Sequence, residues 1–351
     1  MYYICNMKCR ILTLAILICG LVLSAFTGCD RDDSVVEYTI PVVNRCNEPF
    51  SFDDYFRKLK RVNVDFDDEY PVSAMISDIV FTKRYAFILD VNRVLSKVDL
   101  RKRKVVCQRP MKRSQVVLSY YDKHLYILGL GSNCIVYEYD LNLNQTDSIS
   151  IRNMDASSFC RMKNGYIFLN SRETSTRGRY VITNKTLTRG VSFVKVGERP
   201  KPYNRFEATM ILSSEVFIPG SFGKVLCFDF EHNDGYRYDG EKMKRVFHVG
   251  TDVTDPDAVP LRNTQVIYAS DGKILFNYYN ADATDGIAYF DKHHNLVAQG
   301  PSYDTATEGL FKYRYRQVGR KLVRIHMVMP EDRGDYPYKA IQAQFDFYRL
   351  K

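Results

Sequence analysis

Few residues in this chain have the types and spacing that chemistry would need. His293-His294 is the one adjacent histidine pair, and two imidazoles could ligate a divalent cation. Its surroundings, Asp291-Lys292-His293-His294-Asn295-Leu296, read instead as a polar hairpin turn between apolar runs. Asp252, Asp255 and Asp257 share a proline-containing segment, and Asp282 and Asp285 share another. Neither has the ligand spacing of a calcium-binding EF-hand loop. There is no Gly-x-Ser-x-Gly elbow, His-Glu-x-x-His motif, P-loop or dinucleotide fingerprint. No cofactor is expected, and calcium would enter only if carboxylates from distant parts of the chain converge.

Tyr313-Arg314-Tyr315-Arg316 interleaves rings with cations, as a single-strand nucleic-acid binder would. A strand explains it more simply, with tyrosines on one face and arginines on the other. Arg101-Lys102-Arg103-Lys104 falls at a turn. Nucleic acid is therefore not an expected partner.

Cys29 has the most informative context. Lys8 and Arg10 precede a 16-residue apolar stretch, Ile11 to Phe26, which ends in Thr27-Gly28-Cys29. That is the order of a secretory signal peptide, and the stretch is shorter than the roughly 20 residues of a membrane span. Phe26-Thr27-Gly28-Cys29 resembles a bacterial lipobox, with Phe26 where Leu is usual. The resemblance implies cleavage before Cys29, acylation of its thiol and anchoring to a membrane. An ordinary cleaved signal or an uncleaved anchor are the other readings. Met1 and Met7 both remain as starts. Asp30-Arg31-Asp32-Asp33-Ser34 resembles the signal that sends Bacteroidetes lipoproteins to the outer face of the cell, or else forms a solvated tether. The expected division is a signal peptide at 1–28, a lipidated tether or extension at 29–60, and a folded body at 61–351.

The composition agrees with a folded, exported body. Of 351 residues, 45% are hydrophobic and 26% charged, which excludes long disorder and a polytopic membrane protein. Losing the cations Lys8 and Arg10 with the leader lowers the net charge from +9 to +7. Five cysteines then remain beyond Cys29: Cys46, Cys107, Cys134, Cys160 and Cys227. The number is odd and no Cys-x-x-Cys occurs, so neither a disulfide framework nor a zinc site is expected.

The elements that would position any site are strands, and they repeat. One unit is an apolar run after a tight turn, beginning at Tyr85, His124, Gly165, Ser214, Gly272 and Arg320. These starts lie 39, 41, 49, 58 and 48 residues apart. A second, alternating run follows and ends in Asp99, Asp140, Asp229, Asp291 and Asp346. Six such units predict an all-β fold, a six-bladed β-propeller of four-stranded blades. The last unit has three predicted strands, and the alternating segment 61–66 precedes the first unit. It is expected to supply the missing outer strand of the last blade and so close the ring.

The lipobox, the short N-terminal strand and the six loose repeats together resemble the six-bladed propeller lipoproteins of Bacteroidetes, relatives of the NHL and TolB-like propellers. The likeness spans nearly the whole mature chain. Where many members carry a glycine-rich turn between blades, this chain has Gly197-Glu198-Arg199-Pro200-Lys201-Pro202-Tyr203. The resemblance implies architecture and an outer-membrane location, surface-exposed or periplasm-facing, rather than a reaction.

In a propeller the second-to-third-strand loops and the blade-to-blade loops emerge on one face. The candidate ligand-binding residues there are Arg172, Arg199, Tyr203, Arg205, Tyr278, Tyr279, Asn280, Asp282 and Tyr336. The expected function is noncatalytic: binding a glycan, a peptide or an outer-membrane protein partner, within a nutrient-uptake system for example. The alternative is a hydrolase, lactonase or lyase with an acidic or calcium-assisted site in the central channel. Ser34, Ser148 and Thr305 sit in Asp-Ser/Thr-aliphatic triplets of the kind associated with O-glycosylation on Bacteroidetes export.

Overall fold

The computed structural model describes residues 35–41, 49–111, 115–129, 133–152, 155–162, 165–172, 191–195, 217–219, 225–229, 233–238, 243–251, 261–280, 285–301, 314–330 and 339–351. The N-terminal part contributes β1 (Val36–Ile40), a one-turn helix α1 (Phe52–Tyr55), β2 (Phe56–Asp65) and β3 (Val72–Ser73). Sheet 1 is β4 (Ile76–Phe81), β5 (Tyr85–Asp90), β6 (Val94–Asp99) and β7 (Lys104–Pro110). Sheet 2 is β8 (Gln115–Tyr121), β9 (His124–Gly129), β10 (Asn133–Tyr139) and β11 (Gln145–Arg152). Sheet 3 joins β12 (Asp155–Met162), β13 (Gly165–Arg172) and β14 (Val191–Lys195).

Sheet 4 runs through β15 (Phe217–Pro219), β16 (Val225–Asp229), β17 (Asp234–Tyr238) and β18 (Met243–Thr251), and β1 adds to β18 in parallel. Sheet 5 is β19 (Leu261–Ser270), β20 (Lys273–Asn280), β21 (Asp285–Phe290) and β22 (Leu296–Pro301). Sheet 6 is β23 (Arg314–Val318), β24 (Lys321–Val328), β26 (Gln342–Leu350) and β2, while β25 (Lys339–Ala340) pairs with β3 in a short ribbon. Among the described residues the fold is therefore all-β, with several four-stranded antiparallel sheets, as a propeller requires.

The turns explain why these runs pair as hairpins. Asp122-Lys123 and Asp271-Gly272 have positive φ at both positions, the conformation that matches strand twist in a two-residue hairpin. Alternation then gives sheets 1, 5 and 6 two apolar faces each, and each of these faces is covered by a neighbour. Val98, Ile88 and Phe81 of sheet 1 pack with Val323, Ile325 and Phe345 of sheet 6. Phe87, Leu89 and Leu95 on the other face pack with Leu118, Leu125 and Ile127 of sheet 2. Sheets 4 and 5 share Phe228, Phe247, Phe276 and Phe290, and sheets 5 and 6 share Tyr268, Leu275, Leu322 and Tyr348.

The segment expected to add a fourth strand to the last sheet does so, and the strand is longer than the alternating segment that suggested it. Phe56–Asp65 pairs antiparallel with β26, with a bulge between Lys58 and Lys60. The bulge lets basic residues enter the strand without breaking the alternation that buries Val62 and Val64.

Residues grouped with the tether from sequence are also folded into this body. Tyr38 of β1 sits edge-to-face against Phe247, Phe276 and Phe290, at 5.5, 5.3 and 4.9 Å between centroids. Gln299 of β22 donates to the Pro41 carbonyl at 2.6 Å, and the Phe50 amide donates to the Pro301 carbonyl at 2.8 Å. The segment thus ties sheets 4, 5 and 6 along their outer edges.

One carboxylate joins the two ends of the chain. Asp346 of β26 accepts a bidentate pair from Arg61 of β2, at 2.7 and 2.8 Å. Lys58 at 2.9 Å and Arg324 at 3.0 Å complete its shell. Burial acts to raise the Asp346 carboxyl, but these hydrogen bonds outweigh it and hold the group well below the ordinary carboxylate range. Its folded value is depressed, so its stabilisation is complete above the unfolded value of about 4 and is lost as pH falls below that. We expect Asp346→Asn to cost about 3 kcal/mol at neutral pH, because three cations lose their counter-charge. Urea unfolding at pH 7 and pH 3.5 checks this: the parent should lose more stability on acidification than the variant.

Candidate functional site

The first strands of the sheets meet through side chains that bind a neighbour's backbone. An edge strand carries N–H and C=O groups that its own sheet leaves unpaired. Asp78 of β4 accepts the Leu118 amide of β8 at 2.7 Å. Ser119 of β8 accepts the Arg161 amide of β12 at 3.0 Å. Gln317 of β23 accepts the Ala269 amide at 2.7 Å and returns a bond to its carbonyl at 2.9 Å, acting as a short piece of strand beside β19. Arg316 lies 3.4 Å from Asp78, and Arg314 donates to the Ser77 carbonyl at 3.4 Å.

These pairs fix direction as well as proximity. Arg314 meets Ser77 and Arg316 meets Asp78, so β23 and β4 advance together. Because each sheet is antiparallel, the first-to-second turns of sheets 1 and 6 and the third-to-fourth turn of sheet 1 emerge at one end, and the second-to-third connections at the other. The two ends are called here the turn end and the loop end.

The recurring Asp at the turn end is a capping device. Asp99 accepts the amides of Arg101 and Lys102 at 2.9 and 3.0 Å. Asp140 accepts those of Asn142 and Asn144, both at 2.8 Å, and Asp291 those of His293 and Asn295 at 2.8 and 2.9 Å. Each carboxylate closes its turn as an Asx motif does and permits the positive φ at Arg103, Leu143 and His294. The histidine pair is thus a hairpin turn, as its flanks predicted. His294 has a further role that sequence did not show: its Nδ1 lies 3.1 Å from the Tyr38 hydroxyl and ties β1 to sheet 5. Burial, then the nearby Asp291 charge, raises the Tyr38 hydroxyl well above the ordinary tyrosine value, so it stays protonated.

At the loop end, Asp90 closes β5. It is buried, and accepts the Val94 amide at 3.0 Å and the Ser73 amide of β3 at 3.2 Å. Burial pushes its carboxyl up, against the backbone N–H groups that favour the charge. Asn277 of β20 is also buried, and its Oδ1 has no hydrogen-bond partner among the described residues. Neither residue was singled out from sequence, since a polar residue ending an apolar run looks like the start of a loop.

The sequence-derived candidates separate into three groups. Tyr278, placed in a loop from sequence, is a core residue of β20: it is 1% exposed, and its hydroxyl accepts from Gln299 at 3.1 Å. The reason is that β20 runs through Tyr278 and Tyr279 to Asn280, and Gly286 opposite leaves room for the ring; a Cβ there would lie 2.3 Å from Tyr278. Tyr279, Asn280 and Arg172 are strand residues at the loop ends of β20 and β13. Ser148 is exposed on the outer strand β11 of sheet 2. Cys29, Ser34, Arg199, Tyr203, Arg205, Asp282, Thr305 and Tyr336 lie outside the described residues.

Two further groups bear on reactivity. Cys160 is buried beside the first strands, and burial pushes its thiol up to about 11, against the nearby Arg316 charge. It is held as a neutral small hydrophobe. Among the described residues, no three His, Cys, Asp or Glu side chains are grouped to hold a metal ion.

No family model matches the chain, and no curated protein matches it. Among solved structures, a Bacteroides fragilis protein described as exported is similar over 91% of this chain and 100% of its own, at 11% identity and a TM-score of 0.59. A protein of unknown function from Bacteroides caccae is similar over 67% of this chain and 84% of its own, at 10% identity and a TM-score of 0.46. The first likeness is one of fold.

Asp78 offers a direct test of the contacts between first strands. Asp78→Ala removes the acceptor of the Leu118 and Ile79 amides and the partner of Arg316. We expect a loss of about 2 kcal/mol, with Asp78→Asn losing less because its carbonyl still reaches an amide. Chemical denaturation of the three proteins measures it.

Proposed function

We propose that this chain is a noncatalytic lipoprotein, held to the outer membrane by acyl chains on Cys29, that binds a ligand or protein partner at the loop end of a closed six-bladed propeller. The observation that carries this reading is the commitment of six described aspartates to the framework. Asp78, Asp90, Asp99, Asp140 and Asp291 each accept two or more backbone amides, and Asp346 binds three cations. A general acid or base must exchange its proton during a reaction, and donors fixed in this way oppose it. What such a framework offers is rigidity under its loops, where recognition concentrates.

Three observations support the parts of this reading. The B. fragilis protein with this fold is described as exported, in keeping with the leader and lipobox. The β2–β26 pairing supplies the outer strand that a closed ring needs. The loop segments carry Arg199, Tyr203, Arg205 and Tyr336, residue types that make contact surface at low entropic cost. With no Trp in the chain, a sugar site would have to stack on Tyr. A glycan, a peptide or an outer-membrane uptake protein remain the ligand classes that fit this location.

Two measurements test it. Cells fed an alkyne-bearing fatty acid should label the protein, and Cys29→Ala should abolish the label and release the protein from membranes; an unlabelled, washable parent overturns the anchoring. A thermal-shift panel of glycans, peptides, calcium and EDTA on the mature protein tests the binding. The expected result is a saturable rise with a glycan or peptide that Tyr203→Ala and Arg205→Ala reduce. A rise with calcium, reversed by EDTA and accompanied by turnover of a lactone or glycoside, overturns the noncatalytic reading.

A further inference from the structure

We propose that the cleft between the turn ends of sheets 1 and 2 binds a small oxyanion, a ligand carrying a phosphate, sulfate or carboxylate group, with the Lys97 ammonium at its floor. The inference is independent of the loop-end reading, because this cleft lies at the opposite end of sheet 1.

The position of Lys97 is the first reason. In β6 the side chains alternate, which places Lys97 in one row with Leu95 and Asp99, and Leu95 belongs to the apolar layer against sheet 2. Lys97 is only 7% exposed. A lysine buried that deeply is rare unless a carboxylate pairs with it. None does so among the described residues. Its Nζ lies 4.3 Å from the Tyr85 ring centroid and 3.3 Å from Asn142 Oδ1, which leaves three ammonium protons with one oxygen acceptor.

The nearby acids are already engaged. Asp99 gives Oδ2 to Arg84 at 2.9 Å and Oδ1 to its own turn, and Asp140 spends both oxygens on the turn that carries Asn142. The lining therefore joins Arg84, Lys97 and Lys102 with Asp99, and the Asp140 charge that also acts on Lys97 still leaves the cations in excess. Such an excess of cations around a cleft attracts an anion and favours its desolvation there.

The cavity is the second reason. It holds about 360 Å³, at the lower end of the range for small-ligand sites, and Lys97, Tyr85, Asn142 and Cys107 all line it. The Tyr85 ring already faces two cations, Lys97 and Arg84, the latter 5.1 Å from its centroid. The charged group is what the site is built to hold. Cys107, half-buried on the same wall, provides a reporter of occupancy.

Calorimetric titration of the purified protein with sodium phosphate, sodium sulfate or sodium glucuronate, each against sodium chloride of equal ionic strength, tests the proposal and separates the three sources of charge. We expect saturable 1:1 binding of at least one anion and slower alkylation of Cys107 by neutral iodoacetamide, read by peptide mass spectrometry. Lys97→Met should weaken that binding by at least about tenfold, the loss of one charge-assisted hydrogen bond, while melting no lower than the parent without anion. Asn142→Asp sets a carboxylate on the ammonium and should abolish binding while raising the melting temperature. It carries the test should Lys97→Met fail to fold. Absence of saturable binding by all three anions, or binding unchanged in both variants, overturns the proposal.

Discussion

The unpaired edge of each first strand is the constraint on which the rest of the structure depends. A sheet buried on both faces still exposes one row of amides and carbonyls where its first strand ends the ladder, and that row must find partners without forming a continuous sheet. Here Asp78, Ser119 and Gln317 reach across to a neighbouring first strand and bind its backbone directly. Each bond holds two sheets close enough for their apolar faces to meet, and it does so with a polar side chain that would be costly if left alone. The bonds and the packing therefore depend on each other: the faces exclude water from the edge, and the edge sets the spacing of the faces.

At the outer rim the problem is different, since a single chain must tie its beginning to its end. Backbone pairing of β2 with β26 supplies most of the bond, and charge supplies its specificity. Asp346 is the recurring Asp of the last unit, but it has no third-to-fourth turn to cap because its partner strand comes from the other end of the chain. The carboxylate that closes a local turn in sheets 1, 2 and 5 here takes Lys58, Arg61 and Arg324 instead. The same residue type at the same place in the unit thus serves a local contact or a contact across 285 residues, according to what the chain brings beside it.

The repeats made the strands, the hairpin turns and the pairing of β2 legible, because period-two alternation and turn-forming Asp leave a local signature. What stayed hidden depends on partners far away in sequence. Nothing around Val36–Ile40 distinguishes a strand from the start of a tether until Phe247, Phe276 and Phe290 surround Tyr38. Tyr278 looked like a loop residue because Gly286, which makes room for its ring, lies beyond the turn on the next strand. Lys97 lies in an alternating run whose two faces are indistinguishable in sequence, and only the sheet packed against it shows that its face is inward. The loop-end candidates rest on topology alone, and topology assigns a face without assigning side-chain positions.

The two ends of the sheets therefore carry different kinds of polar group. At the third-to-fourth turns, Asp99, Asp140 and Asp291 are held by the backbone they shape, and the residue beside them that does not fit this pattern is a cation facing inward. A buried ammonium with a single neutral acceptor lowers the stability of the empty protein, and a well-packed apolar side chain in its place would not. Stability alone would favour methionine or leucine at position 97, in line with Leu95 beside it. A lysine there makes physical sense if its cost is offset when an anion enters the cleft. This ties the local conflict at position 97 to binding rather than to the fold.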